Sequence, residues 1–234
     1  MFIKKAKREE LTRSLSGLTI GVKAGLFAKE GRLNFDDLTS SSDNLKTPLS
    51  IIYVNTLGDD DQKGFFITIF LTELFKWILQ HPGKKRPKVV LYMDEIGPYV
   101  PAKSGAPSKE IIARILWEAR KYGLGLIVCT QNVSDVENRV WNQIDTLAIG
   151  RMATPAQIKA IQPIIEGYAQ VNPNKKINTK KIIESLPGIK DRNFVLLSSF
   201  TDSLNVFQTR ELLTELGGVI IKSELKDYLK SLEK

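Results

Sequence analysis

Two adjacent carboxylates, Asp94 and Glu95, close the apolar run Val89-Val90-Leu91-Tyr92-Met93. Acids at the end of a buried strand are costly to desolvate unless they lie at a solvated rim or perform chemistry. The chemistry open to this pair is nucleotide hydrolysis. Asp94 would hold Mg2+ through water, and Glu95 would polarise the attacking water. An acidic turn at a strand terminus is the other reading of the same residues. A second apolar run, Leu126-Ile127-Val128-Cys129, ends in Thr130-Gln131-Asn132. A side-chain amide beside an acidic strand end can sense a γ-phosphate and orient a water; alternatively, Gln131 simply begins a loop. Between the two runs, Glu118-Ala119-Arg120-Lys121-Tyr122-Gly123 puts an arginine at a helix end just before a glycine stop. A guanidinium projecting from a subunit edge into a neighbour's phosphate site would stabilise transition-state charge. Compensation of the helix dipole is its plainer role.

These groups meet only if the surrounding elements bring them together. One helix and a loop separate the two strand ends, the spacing of consecutive strands in a parallel sheet. Around them the pattern predicts a strand over Leu49–Val54, followed by a turn and helix start at Gly58-Asp59-Asp60-Asp61 and a long helix over Gln62–Gln80. Helices are expected over Ser108–Tyr122 and, briefly, Ser134–Gln143, with a strand over Thr146–Arg151. Thr154 caps a helix to Tyr168, a short helix ends at Leu186-Pro187-Gly188, and strands follow near Asn193–Ser198 and Leu204–Thr209. Strands alternating with helices predict an α/β layered domain with a mostly parallel sheet, whose site lies at the carboxyl ends of the strands. The expected organisation is an N-terminal segment over 1–47, a core over 48–222 and a charged terminal helix over 223–234.

Composition narrows the function classes. The chain has 234 residues, with 34 Lys and Arg against 26 Asp and Glu, a formal net charge of +8. That balance favours a polyanionic partner. A single cysteine, Cys129, excludes an intrachain disulfide framework and a cysteine-rich zinc site. A single histidine, His81, leaves little material for a multi-histidine metal centre or a Ser-His-Asp triad. No apolar run reaches membrane-spanning length and the first ten residues are too polar for a signal peptide, so a soluble protein of the reducing cytoplasm is expected.

The order Val89 to Ile96, then Glu118-Ala119-Arg120-Lys121-Tyr122-Gly123 through Gln131-Asn132, then Gln143-Ile144-Asp145-Thr146-Leu147-Ala148-Ile149-Gly150-Arg151-Met152 resembles the HerA/FtsK superfamily of P-loop motor ATPases. The HerA branch of hexameric DNA translocases is the nearest in pattern. The resemblance covers roughly Leu49 to Gln162. It implies a RecA-like, three-layer αβα core with ATP and Mg2+. Asp94 and Glu95 take the Walker B positions, Gln131 the sensor position and Arg120 that of the in-trans arginine finger. Arg151 becomes a further candidate for phosphate or inter-subunit contact, and Arg210 for a subunit boundary. Implied partners are double-stranded DNA, five further copies in a homohexamer and a nuclease of the NurA kind, in DNA-end processing.

The sequence departs from that family in one respect. A Gly-rich loop ending Gly-Lys-Ser/Thr cradles the phosphates in P-loop enzymes, and none occurs here. Gly17 to Lys23 is wrongly spaced and its lysine precedes Ala24, while Pro82-Gly83-Lys84 is followed by Lys85. The chain therefore reads as the C-terminal portion of a motor ATPase, incomplete on its N-terminal side and inactive alone. A conjugative or packaging motor and a catalytically dead assembly or regulatory module are the alternatives. Basic residues for salt-dependent, sequence-independent DNA contact are Lys103 and Lys109 in the loop after Glu95, or the cluster Lys84, Lys85, Arg86 and Lys88.

Overall fold

The computed structural model describes residues 5–18, 33–41, 43, 45–57, 59–83, 86–103, 105–201, 205–211 and 222–232. The described helices are α1 (Lys5–Leu18), α2 (Phe35–Thr39), α3 (Asp60–Gln80), α4 (Lys109–Glu118), α5 (Asn138–Trp141), α6 (Pro155–Val171), α7 (Thr179–Ser185) and α8 (Lys222–Leu232). The described strands are β1 (Val89–Met93), β2 (Leu124–Val128), β3 (Thr146–Ile149), β4 (Asn193–Ser198) and β5 (Asn205–Gln208).

The acidic turn before α3 acts as its start signal. Asp59 caps the helix by accepting the Gln62 N–H at 2.8 Å, and Asp60 and Asp61 occupy the first turn. Ile67, Phe70, Leu71, Leu74, Phe75, Trp77 and Ile78 are buried along α3, making it the spine of the first apolar core. α2 docks on it through Phe35 against the Phe70 and Trp77 rings, and the Trp77 indole donates to Asp36 at 3.0 Å. β1 and β2 pair in parallel, Val89 opposite Leu124 and Met93 opposite Val128. Strand alternation sends Val89, Leu91, Met93, Leu124, Leu126 and Val128 into this core. Val90, Tyr92 and Ile127 point the other way and are 56, 58 and 52% exposed.

The return from α4 to β2 depends on two glycines. A 3-10 turn over Ala119–Tyr122 ends at Gly123, whose φ of 82° is open to glycine at no steric cost. There the backbone crosses Gly83, whose N–H donates to the Tyr122 carbonyl at 2.7 Å. A Cβ on Gly123 would lie 2.7 Å from the Gly83 Cα.

The second core is built on an antiparallel sheet in the order β3-β4-β5. Leu147, Ile149, Val195 and Leu197 face Ile161, Ile165 and Tyr168 of α6, with Ile182 and Leu186 beside them. α6 starts at the expected cap. Thr154 accepts the Gln157 N–H and Gln157 bonds back to the Thr154 N–H, a complete capping box. Trp141 packs against both cores.

Three expectations change. The sheet divides into a parallel pair and an antiparallel triple: β4 and β5 are joined by a link too short for a parallel crossover, and β4 runs antiparallel to β3 as well, across the long segment that holds α6 and α7. Leu49–Val54 forms no strand and pairs with none among the described residues, with Leu49, Ile51 and Tyr53 exposed; an apolar β-prone run becomes a strand only where a ladder is available. The segment Ser134–Gln143 holds a 3-10 turn over Val133–Asp135 and the one-turn α5. Gly58, Lys84-Lys85, Leu204 and, within the two terminal segments, residues 1–4, 19–32, 42, 44, 233 and 234 fall outside the described residues. No described helix is long and apolar enough to cross a membrane.

Candidate functional site

Because β1 and β2 run in parallel, both their carboxyl ends emerge at one end of the sheet. The ladder continues one step beyond the strands. The Cys129 N–H donates to the Met93 carbonyl at 3.0 Å, and the Ile96 N–H donates to the Cys129 carbonyl at 2.8 Å. Asp94 and Glu95 are thrown out between these two bonds as a bulge, and Glu95 takes the left-handed conformation at φ 50°. Few non-glycine residues hold that conformation without compensation.

The compensation here is a set of hydrogen bonds to the Glu95 carboxylate. Its Oε1 accepts the Thr130 hydroxyl at 2.7 Å and the Gly97 N–H at 3.3 Å, and its Oε2 accepts the Gln131 N–H at 3.0 Å. Partial burial pushes the carboxyl pKa up. The bonds from Gln131, Thr130 and Gly97 outweigh it, leaving Glu95 below the ordinary glutamate value. Asp94 is exposed, and among the described residues no cation pairs with it. Its Oδ1 accepts the Tyr92 hydroxyl at 3.3 Å, and that hydroxyl also accepts from Cys129 Sγ at 3.5 Å. The Cys129 bond, burial and the Asp94 charge push the Tyr92 phenol up to about 12.

A cavity of about 470 Å3 opens beside Glu95, lined also by Gly97, Pro101, Lys103, Asn132 and Asp135. The loop after Glu95 is stapled to the loop after Gln131. Pro101 and Val136 form an antiparallel bridge, the Ala102 N–H donates to the Asp135 carbonyl at 2.8 Å, and the Glu137 N–H donates to the Val100 carbonyl at 2.9 Å. Lys109, expected in a flexible segment, is 16% exposed at its side chain and pairs with Glu137 at 3.5 Å. Lys103 is exposed on the cavity rim and makes no ion pair among the described residues.

Asp94, Glu95, Gln131 and Lys103 thus gather at one end of the β1–β2 pair. Arg120 does not join them. It precedes β2 while Gln131 follows it, a separation of about 16 Å or more for a five-residue strand. Arg120 donates to Asp145 at 3.0 Å and lies over the Phe200 ring at 5.8 Å. Arg151 follows β3 and pairs with Asp191 at 3.5 Å; Arg210 follows β5 and is exposed. The roles of Thr130 and the Gly97 amide were missed at the level of sequence. The polar cluster Thr130-Gln131-Asn132 with Ser134-Asp135 was a signal for them, since such residues bond back to their own turn. Asn132 donates to Asp135 at 2.9 Å and Ser134 to Asn132 at 2.8 Å.

Among these residues Asp94 is the one that could hold Mg2+. An exposed carboxylate with no cationic partner is the hard oxygen donor that Mg2+ takes, alone or with one other, alongside phosphate and water. No group of three or more potential metal ligands occurs among the described residues. A phosphate-cradling Gly-Lys-Ser/Thr loop is absent from the sequence.

The fold has solved counterparts. The genome packaging NTPase B204 of Sulfolobus turreted icosahedral virus 2, in complex with AMP, is similar at 20% identity over 77% of this chain and 73% of that one, with a TM-score of 0.50. The same figures hold for its complex with ATP-gammaS. B204, the DNA-packaging ATPase of Sulfolobus turreted icosahedral virus, is similar at 18% identity over 82% and 78% of the chains, with a TM-score of 0.51. No curated protein matches. A family model described as Helicase HerA-like C-terminal matches residues 1–198, and with most of its length matched the chain belongs to that family.

Proposed function

We propose that the chain carries the hydrolytic half of a HerA-like motor that couples ATP hydrolysis to translocation along, or unwinding of, double-stranded DNA. The observation that carries this reading is the juxtaposition of Asp94-Glu95 with Thr130-Gln131 across two parallel strands. Asp94 would hold Mg2+, and the ion when bound would neutralise charge on the phosphate oxygens. Glu95, kept ionised by its three donors, takes a proton from the attacking water. The Gln131 side chain orients that water and senses the phosphate. Arg120 acts on the neighbouring subunit's site in a homohexamer, which requires it to leave Asp145. Arg151 supplies a further phosphate or inter-subunit contact. Lys103, exposed at the cavity rim and in no ion pair among the described residues, is the better DNA-contacting candidate, since Lys109 is already paired.

On this reading the phosphate cradle belongs to polypeptide outside this sequence. That polypeptide also completes the RecA-like three-layer core over the exposed face of Val90, Tyr92 and Ile127. The chain alone then hydrolyses no ATP. The assembled motor is cytoplasmic and works with a NurA-like nuclease on DNA ends.

The test is to join the chain to the polypeptide encoded upstream and measure ATPase turnover with and without duplex DNA. DNA-stimulated turnover is expected, and a Glu95→Gln variant should bind ATP while turnover falls by about a hundredfold or more. Retained turnover in that variant removes Glu95 as the base. One observation favours a second reading. Without a Gly-Lys-Ser/Thr loop the chain also suits a non-hydrolysing assembly module; an upstream sequence with no such loop, and an assembled complex with no turnover, would decide for it.

A further inference from the structure

We propose that Thr130 is a positioning residue for Glu95, its hydroxyl fixing which carboxylate oxygen remains available to the attacking water. The inference rests on the reading of Glu95 as the group that polarises water. The Thr130 hydroxyl has one proton and two acceptors within reach, Glu95 Oε1 at 2.7 Å and the Asn132 carbonyl at 3.2 Å. The shorter, charge-assisted contact takes the proton. The hydroxyl oxygen in turn accepts the Asn132 N–H at 3.2 Å, which orients the donor. Oε1 therefore carries two donors, Thr130 and Gly97, while Oε2 carries the Gln131 N–H alone. Each carboxylate oxygen can accept two hydrogen bonds, so the free acceptor capacity lies on Oε2.

The constraint acts across the two strands. Glu95 belongs to the bulge after β1 and Thr130 to the end of β2, so their contact sets the carboxylate against the Gln131 backbone and the sensor side chain it carries. Gly97 bounds the same oxygen from the other side, because a Cβ there would lie 3.2 Å from Oε1. Loss of the Thr130 hydroxyl leaves the carboxylate held by the Gly97 and Gln131 N–H groups alone and leaves the Asn132 N–H without that acceptor. The other titratable groups among the described residues at this end are Asp94, next in sequence, Tyr92 and Cys129 bonded beside it, and Asp135 and Lys103 on the cavity lining.

Two measurements on Thr130→Val and Thr130→Ser test this, and they fail separately. On this chain at neutral pH, the Gly97 backbone amide, which bonds the same carboxylate oxygen, is followed by 15N NMR for its proton shift and its hydrogen exchange. Thr130→Val should move the shift and speed the exchange, and Thr130→Ser should leave both near wild type. On the chain joined to its upstream polypeptide, Thr130→Val should lower kcat for ATP by about tenfold to a hundredfold with KM within about twofold, and Ser should restore most of the rate. An unmoved Gly97 amide in Thr130→Val overturns the positioning role whether or not the assembly hydrolyses ATP. So does a rate loss that Ser fails to rescue, or one carried by KM. If the amide moves as expected but no assembly turns over ATP, the cradle around Glu95 stands and the hydrolytic reading falls.

Discussion

The two apolar cores are built from similar short strands, yet only one carries a candidate site. In the first, β1 and β2 run the same way, so both carboxyl ends open onto a single edge and deliver Asp94, Glu95 and Gln131 together. In the second, β3, β4 and β5 alternate in direction, so the carboxyl end of β4 lies beside the amino end of β3, Ser198 opposite Thr146. Their end groups are spread over both edges. Polar contacts there close the structure: Lys175 donates to the Ser198 carbonyl at 2.6 Å and also bonds the Thr201 carbonyl, and Tyr168 donates to the Asp145 carbonyl at 3.2 Å. Strand direction, more than composition, separates a region that concentrates chemistry from one that supports it.

This contrast can be broken at several strengths. Leu71→Ala in the first core and Ile165→Ala in the second should each cost about 2–5 kcal/mol, since both side chains are almost fully buried. Urea unfolding followed by far-ultraviolet circular dichroism checks the cost. Two separate transitions would show that the cores fold independently. Next is Gly123→Ala, which combines a positive φ with a backbone neighbour 2.7 Å from the new methyl, for a loss of about 1–3 kcal/mol. Gly64→Ala, in α3 with nothing within 4 Å of the new methyl, should instead stabilise by about 0.5–1 kcal/mol. Thermal melts of the pair should move in opposite directions.

In the supporting region, Thr154→Ala removes the α6 cap at about 1 kcal/mol without altering the Glu95 titration. In the site region, acid should act through Glu95. Its pKa is lowered by folding, so its contribution is complete above the unfolded glutamate value of about 4.3 and is lost as pH falls through the folded value. Glu95→Gln should flatten that part of the stability–pH curve; an unchanged curve would show that the carboxylate is not held. The smallest stability effect is expected at Arg120→Ala, under about 1 kcal/mol and shrinking with salt, because its ion pair with Asp145 is largely exposed. On the proposed motor reading, its functional effect is expected across subunits. Mixing Arg120→Ala subunits with Glu95→Gln subunits should give turnover that departs from independent sites.

Much of the positioning framework was legible in the sequence because it is written in local signals. The acidic start of α3, the Thr154 cap, the glycine stop at Gly123 and the two apolar runs ending in Asp94-Glu95 and Thr130-Gln131 are all local features. What escaped depends on partners distant in the chain. Nothing near Arg120 announces Asp145, nothing near Gly123 announces Gly83, and the apolar run Leu49–Val54 carries a strand pattern with no strand paired to it among the described residues. The direction of β4 and β5 follows from the length of the link between them, which a pattern of apolar residues does not specify. Within the site, the residue types at Asp94, Glu95 and Gln131 were readable. The bulge that turns Glu95 back onto Thr130 was not, because it arises from one extra step in a ladder.

Trp141 touches both clusters of buried side chains, whereas Trp77 lies within the first and Trp117 is 68% exposed. The three indoles are therefore natural optical probes of three different places: a seam, an interior and a surface. With the other two changed to phenylalanine, the emission of the remaining tryptophan at 141 would report any parting of the two cores, without an added label.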